Sequence, residues 1–305
     1  MLEIYTYNAG KGDCIRLHFA EIHNIFIDSG VIRFAPKFKK LCDEIIQKGE
    51  TLDALILTHV DDDHIGGVLG NLRYAAYQCP FCEVWMNYFG NAAGGDRTLS
   101  VRQNDEVYAR LIKQGIPVKT AYKGEQRELE GALIHVFWPE RTEIERYNFT
   151  DGYNEAQLSF HSDYCRSLSE LAEMPLPPHD ASKSNRQSIL FSFKFENHSI
   201  LFTGDAWAEN VIEAKGTYDL IKISHHGSAR NLSENYPDTI QSSNFLICTD
   251  GRMHPDKQTI AKLEKWYGEI NIFSPSSWWN SEFFTEEDRQ HSINYYKKEG
   301  LVIAW

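Results

Sequence analysis

Apolar and polar residues alternate through residues 1–8 and again through 14–19, and an apolar run at 24–28 ends on Asp28. This period of two predicts three short strands. The first two flank the turn Asn8-Ala9-Gly10-Lys11-Gly12-Asp13. Phe38, Leu41, Ile45 and Ile46 then recur at helical spacing, predicting a helix over 38–48. Residues 52–57 are apolar apart from Asp53, as expected of a central strand covered on both faces. A helix start is expected at Ile65-Gly66-Gly67, a strand at 83–87, a polar helix near 99–114 and a strand at 132–138. Residues 140–184 are polar and irregular, with Pro175, Pro177 and Pro178, and read as an insertion or lid-like loop rather than a second domain. Strands follow at 189–195, 199–203, 220–224, 245–249 and 270–274, with a helix at 257–267. There are no internal repeats. The alternation of strands and helices predicts layered sheets and helices in one domain spanning 1–305.

Composition narrows the class. The 305 residues are 42% hydrophobic and 24% charged, ordinary for a globular chain. No apolar run reaches the ~18 residues a membrane helix needs, and no basic-then-apolar leader opens the sequence. A cytoplasmic protein is expected. Six scattered cysteines fit a reducing compartment. Cys79-Pro-Phe-Cys82 has no second such pair to complete a four-thiolate zinc site. The net charge of −12 argues against a broad surface for non-specific duplex binding. It leaves a phosphate-bearing substrate open, because bound divalent metals can reverse the local sign.

The candidate chemistry lies just past apolar strands. His59-Val60-Asp61-Asp62-Asp63-His64 places four metal-capable side chains, His59, Asp61, Asp63 and His64, within six residues. A tight loop can turn them all inward, and imidazole plus carboxylate suits zinc, manganese or iron. Leu201-Phe202-Thr203-Gly204-Asp205 ends a strand on an aspartate that can bridge two metals ~3.5–4 Å apart. Ser224-His225-His226-Gly227-Ser228 offers one histidine as ligand and its neighbour as a proton donor. His254-Pro255 is a fourth strand-end candidate, either a plain turn or part of the site's lining. Each motif alone has an ordinary explanation as a solvated loop or turn.

Together and in this order they resemble the metallo-β-lactamase superfamily, and more closely the hydrolase domain of ComEC-type competence proteins and their free-standing relatives. The turn at residues 8–13, Ile27-Asp28-Ser29-Gly30, Gly204-Asp205, His225–Ser228 and His254-Pro255 carry that resemblance. It implies a four-layer αββα sandwich and a pair of divalent ions, Zn or Mn. His59, Asp61 and Asp205 would hold the first, and Asp63, His64, Asp205 and His226 the second. Asp61 stands where the family has a histidine, and Asn185 where it has another, so the first site is expected to be the weaker. Asp13 and Asp28 are expected to orient ligands, and Asn185, Lys222 and Ser228 to lie behind the metals or near substrate. Asp61 or Asp63 would take a proton from the attacking water, and His225 or His254 would give one to the leaving oxygen.

The resemblance implies a phosphodiesterase or nuclease, with Lys11, Lys222 and Arg230 as candidate phosphate contacts. A carboxylic-ester, lactone or lactam hydrolase is the alternative; a metal-binding interaction module without turnover is a second. Protein partners are left open. The pairs Trp278-Trp279 and Phe283-Phe284 could stack bases or simply pack. His18, His23, His135, His161, His179, His198 and His291 have no partners at ligand spacing, although His161 or His179 could swing in from the insertion.

Overall fold

The computed structural model describes residues 1–88, 99–145, 163–279 and 283–305. Residues 146–162 of the expected insertion, His161 among them, therefore lie outside the described residues. The first half runs β1 (Leu2–Thr6), β2 (Ile15–Phe19), β3 (His23–Ile27), α1 (Ala35–Gln47), β4 (Ala54–Ile56), α2 (Asp62–Leu72), β5 (Glu83–Trp85), α3 (Leu99–Lys113) and β6 (Val118–Lys119). Next come β7 (Gln126–Leu129), β8 (Ala132–Trp138), α4 (Arg141–Glu145), α5 (Leu168–Glu173), α6 (Lys183–Arg186), β9 (Leu190–Phe195), β10 (His198–Phe202) and α7 (Ala208–Val211). The chain ends with β11 (Gly216–Thr217), β12 (Leu220–Lys222), α8 (Tyr236–Thr239), β13 (Ile240–Gln241), β14 (Asn244–Leu246), α9 (Lys257–Tyr267), β15 (Ile270–Ser274), β16 (Ile293–Lys297) and β17 (Gly300–Ala304).

Two mixed sheets result, ordered β17-β1-β2-β3-β4-β5-β6 and β16-β15-β14-β12-β10-β9-β8-β7. The period-two pattern sends alternate side chains to opposite layers. Ile25 and Ile27 face the second sheet, where they meet Phe191, Phe193 and Ile200. Phe26 between them packs under Phe38, Ile65 and Leu69 of α1 and α2. On the far side, Leu201, Ile221 and Phe245 are covered by Leu168, Val211, Ile260 and Leu263 of α5, α7 and α9. The layers are therefore helix, sheet, sheet, helix, as the sequence implied. Among the described residues no helix is long and apolar enough to cross a membrane.

The sequence boundaries need two corrections. The stretch read as a loop at Asp61–His64 is already helical: α2 begins at Asp62, with Asp61 as its extended N-cap. Acids in a first turn are favoured by the helix dipole, so ligand-type residues and a helix start coincide here. The two C-terminal strands were also not foreseen. β16 joins β15 in one sheet and β17 joins β1 in the other, so consecutive strands close an edge of each sheet.

Strands 3, 4, 10, 12 and 14 each have a parallel neighbour, and their carboxyl ends carry Asp28, His59, Asp205, His226 and the turn to His254. Ligands in open α/β sheets gather at such ends. Two glycines let the backbones close in. A Cβ on Gly12 would sit 1.8 Å from the Asp63 carbonyl oxygen, and one on Gly67 would sit 2.0 Å from that of Ser29. The turn at 8–13 and the β3 end are thereby pressed directly onto α2.

Candidate metal centre

Four imidazoles converge on one carboxylate. The Nε2 atoms of His64, His226, His59 and His225 lie 3.4, 3.5, 3.8 and 3.9 Å from Asp205 Oδ2. Their opposite nitrogens are each held from outside. His64 Nδ1 donates to Asp28 Oδ2 at 2.8 Å, and Asp28 also accepts from the Thr58 amide and hydroxyl. That hydroxyl, already donating, accepts from His59 Nδ1 at 3.2 Å. His226 Nδ1 donates to the Cys248 carbonyl at 2.9 Å. His225 Nδ1 donates to Asn231 Oδ1 at 3.0 Å, while the Asn231 amide group donates to Asp180 and to the carbonyls of Asp205 and Ala206. An outer acceptor fixing the Nδ1 proton and leaving Nε2 inward is the arrangement metal-bound histidines use.

The carboxylates split into two sets around Asp205. Asp63 Oδ2 is 3.6 Å from His226 Nε2, and Asp61 Oδ2 is 3.7 Å from His59 Nε2. Among the described residues the buried atoms His59 Nε2, His64 Nε2, His226 Nε2, Asp61 Oδ1, Asp205 Oδ1 and Asn185 Oδ1 have no hydrogen-bond partner. Buried polar atoms are rarely left so, and the three unpartnered Nε2 atoms that face Asp205 fit a bound cation as their partner. Asp13, His64, Asp205 and His226 each offer a ligand atom within 4.8 Å of the others. Asp13, however, is paired at 2.5 Å with buried Lys222 and faces Nδ1 of His226, the nitrogen turned away from Asp205. Its place is therefore behind His226, and Asp63 is the carboxylate on the inner side.

The charges follow this geometry. Burial alone would neutralise His64 and His226, but Asp205 with Asp28, and Asp205 with Asp13, outweigh it. Both rise above the usual imidazole range, His226 to about 9. Burial works the other way on Asp13, where Lys222 and His226 prevail and lower it to about 2. His225 and His226 both occupy the left-handed region, with φ of 48° and 55°. Such residues cost of order 1–3 kcal/mol each and persist where surrounding structure enforces them. Here the strain accompanies two adjacent imidazoles whose Nε2 atoms both face Asp205 Oδ2.

Several expected residues sit elsewhere than anticipated. Lys222 is fully buried and donates to the Gly204 carbonyl, so it is internal support rather than a phosphate contact. Asn185 is buried, with its amide nitrogen given to Asp180 at 2.7 Å. Ser228 is buried and starts the short turn at 229–231. His254 is not among the groups around Asp205; its ring lies 5.1 Å from that of His225, with Nδ1 3.8 Å from Asp256. Arg230 is half-buried and His179 exposed. Lys11 reaches Asp63 Oδ2 at 2.9 Å with half its side chain in solvent. Trp278, Trp279, Phe283 and Tyr295 pack edge-on against one another over the second sheet. Cys14, Cys42, Cys79, Cys82 and Cys248 are free thiols.

Sequence reasoning missed Asp180, Asn231 and Ser184. Asp180 is buried and touches His225, Asn185 and Asn231, which offset its burial and lower it to about 2. Ser184 Oγ donates to Asp61 Oδ2 at 3.1 Å. Asp180 and Ser184 fall at the end of the polar stretch read as an insertion, where nothing in the spacing marks them. Asn231 lies six residues past His225, and no ligand pattern includes an asparagine there.

Comparison with known proteins follows the same lines. No family profile matches the sequence. The chain is 22% identical over 233 residues to ComE operon protein 3 of Bacillus subtilis, covering 74% of this chain and 24% of that one. It thus spans about a quarter of that relative's length. Among solved structures it is similar to YhfI, a metallo-β-lactamase fold protein of Bacillus subtilis (10% identity, TM-score 0.44, 98% of this chain and 97% of that one). It is similar also to Igni18, a metallo hydrolase of Ignicoccus hospitalis (12%, 0.43, 99% and 98%). A third is CmlA, a diiron β-hydroxylase of Streptomyces venezuelae (13%, 0.42, 97% and 48%). With helices outside two facing sheets, and its histidines and aspartates gathered at their carboxyl ends, the protein is the four-layer αββα sandwich that the resemblance to the metallo-β-lactamase superfamily implied.

Proposed function

We propose that the chain is a hydrolase that uses two divalent metal ions to cleave phosphodiesters. One observation carries the reading: four Nε2 atoms face Asp205 Oδ2 within 3.9 Å, with each Nδ1 hydrogen-bonded away from the basin. His59, Asp61 and Asp205, with Asn185 Oδ1, would hold one ion. Asp63, His64, Asp205 and His226 would hold the other. Such a pair lowers the pKa of water toward neutral and offsets developing oxygen charge.

The chain's own residues do the rest. Asp28, Asp13 and Asn231 lock the imidazoles in place. Ser184 donates to Asp61 Oδ2, the oxygen beside His59, leaving Asp61 Oδ1 without a protein partner among the described residues and able to accept a proton. His225, held by Asp180 and Asn231 and partly open to solvent, is the group placed to protonate a departing oxygen, with His254 alongside. The phosphodiester preference rests on the resemblance to the ComEC-type domain.

The test is to incubate the protein with Mn²⁺ or Zn²⁺ against single-stranded DNA, bis-p-nitrophenyl phosphate and a chromogenic lactam, with Asp63→Ala and His64→Ala as controls. Metal-dependent cleavage of the diesters, lost in both variants, is expected. Turnover of the lactam alone would move the assignment to the ester and lactam hydrolases. No turnover with any substrate would make the protein a metal-binding module.

A further inference from the structure

At the turn formed by residues 8–13 lies a groove of about 350 Å³. Gly10, Arg33, Lys37, Asp250, Arg252 and Glu299 are among its lining. In a chain of net charge −12 this is three cations against two carboxylates. Lys37 and Glu299 satisfy one another at 2.6 Å. Arg33 and Arg252 share the single carboxylate of Asp250, at 3.8 and 3.6 Å, and their side chains are 64% and 73% exposed. Asp250 can neutralise only one of them, so the groove keeps one guanidinium charge in excess. Long, exposed pairs of this kind contribute little and exchange readily for another anion.

The position of the groove gives that charge a use. Arg33 lies against the backbone of Gly10: a Cβ there would be 3.1 Å from its Nη2. The next residue, Lys11, reaches Asp63 in the metal centre. Asp250, on the opposite wall, is four residues before His254. Lys11 at the candidate centre and the groove's Arg33 and Arg252 thus meet around the turn at Gly10. Guanidinium groups bind phosphate in a planar two-point geometry that lysine cannot offer.

We propose that this groove is a subsite for the phosphates flanking the scissile one in a single-stranded nucleic-acid substrate, with Arg33 and Arg252 as the contacts. The inference rests on the phosphodiesterase reading but is tested separately from it. Binding of a fluorescein-labelled phosphorothioate oligothymidylate is followed by anisotropy for the wild type, the double variant Arg33→Ala/Arg252→Ala, and Lys40→Ala as an exposed-charge control on the outer helix. The double variant is expected to bind about tenfold more weakly. Its slope of log affinity against log salt should shrink by about 1.4, two single-strand contacts at about 0.7 each. Lys40→Ala should match the wild type. Arg252→Gln alone, about threefold weaker, serves if the double variant does not fold. Absence of saturable binding by the wild type, or unchanged affinity and slope in the variants, overturns the subsite. Turnover of bis-p-nitrophenyl phosphate by the wild type judges the metal centre independently: its absence would refute the phosphodiesterase reading while leaving the binding result to decide the groove.

Discussion

Asp205→Asn is the substitution that reaches furthest into the proposed centre. The amide is the same shape but lacks the charge toward which His64, His226, His59 and His225 all turn. At an effective dielectric of about 20, a unit pair separated by the 3.4 Å of His64 and Asp205 is worth about 5 kcal/mol before desolvation. Asp205 is the one carboxylate near both the His59–Asp61 set and the His64–His226–Asp63 set. Losing it should therefore weaken both metal sites together, by at least about 100-fold each, or about 2.7 kcal/mol. Asp61→Asn should weaken only one site and Asp63→Asn only the other. Isothermal titration of chelator-treated protein with Mn²⁺ or Zn²⁺ reads this directly, with circular dichroism to show that each variant folds. Two binding phases are expected for the wild type, the tighter from the site with two imidazoles and Asp63. If Asp205→Asn binds both ions as the wild type does, or loses only one phase, Asp205 is not shared and the two-ion arrangement is wrong.

Three other outcomes follow from the packing. Asp180→Ala removes the carboxylate beside His225 and the acceptor of both the Asn185 and Asn231 amides, loosening the Asn231 that holds His225 Nδ1, and turnover should drop about 10–100-fold with little change in melting temperature, with Asp180→Asn recovering part because its oxygen still accepts. Lys222→Met leaves the Asp13 carboxylate buried without its cation, 2.5 Å away, and should cost about 3–5 kcal/mol in denaturant titrations, part of which Asp13→Leu on top should restore. Lys257 and Asp288 form a second fully buried pair, joining α9 to the segment before β16. Burial opposes the Asp288 charge, but Lys257 and two backbone amides prevail and lower its pKa. A depressed carboxyl contributes stability that is complete above its unfolded value, about 3.9, and lost as pH falls through the folded one. Melting temperature measured from pH 7 downward should accordingly fall more steeply below about pH 4 in the wild type than in Asp288→Asn, which should already be less stable at neutral pH.

Much of this was legible along the chain. The strands ending at Ile27, Ile56, Phe202 and Lys222 stand out because period-two or continuous apolar runs stop abruptly at acids, histidines and glycines. His59, Asp61, Asp63, His64, Asp205 and His226 could be named because each follows such a strand. The expectation of two ions came from the resemblance that these motifs carry in this order. What the pattern could not carry is direction and partnership. Nothing in the sequence places the Lys222 ammonium, one residue from the strand end, inside the protein against Asp13 rather than out toward substrate. Asp180, Asn231 and Ser184 have no local signature, since they matter only through groups forty or more residues away or across a turn. The end of the chain was likewise opaque: Asn294 to Lys297 mixes polar and aromatic residues, and becomes a strand only because β15 and β1 leave two sheet edges to be filled. Local propensity and burial are written residue by residue, whereas the hydrogen-bond partner of a buried nitrogen is set by whichever element the tertiary fold brings beside it.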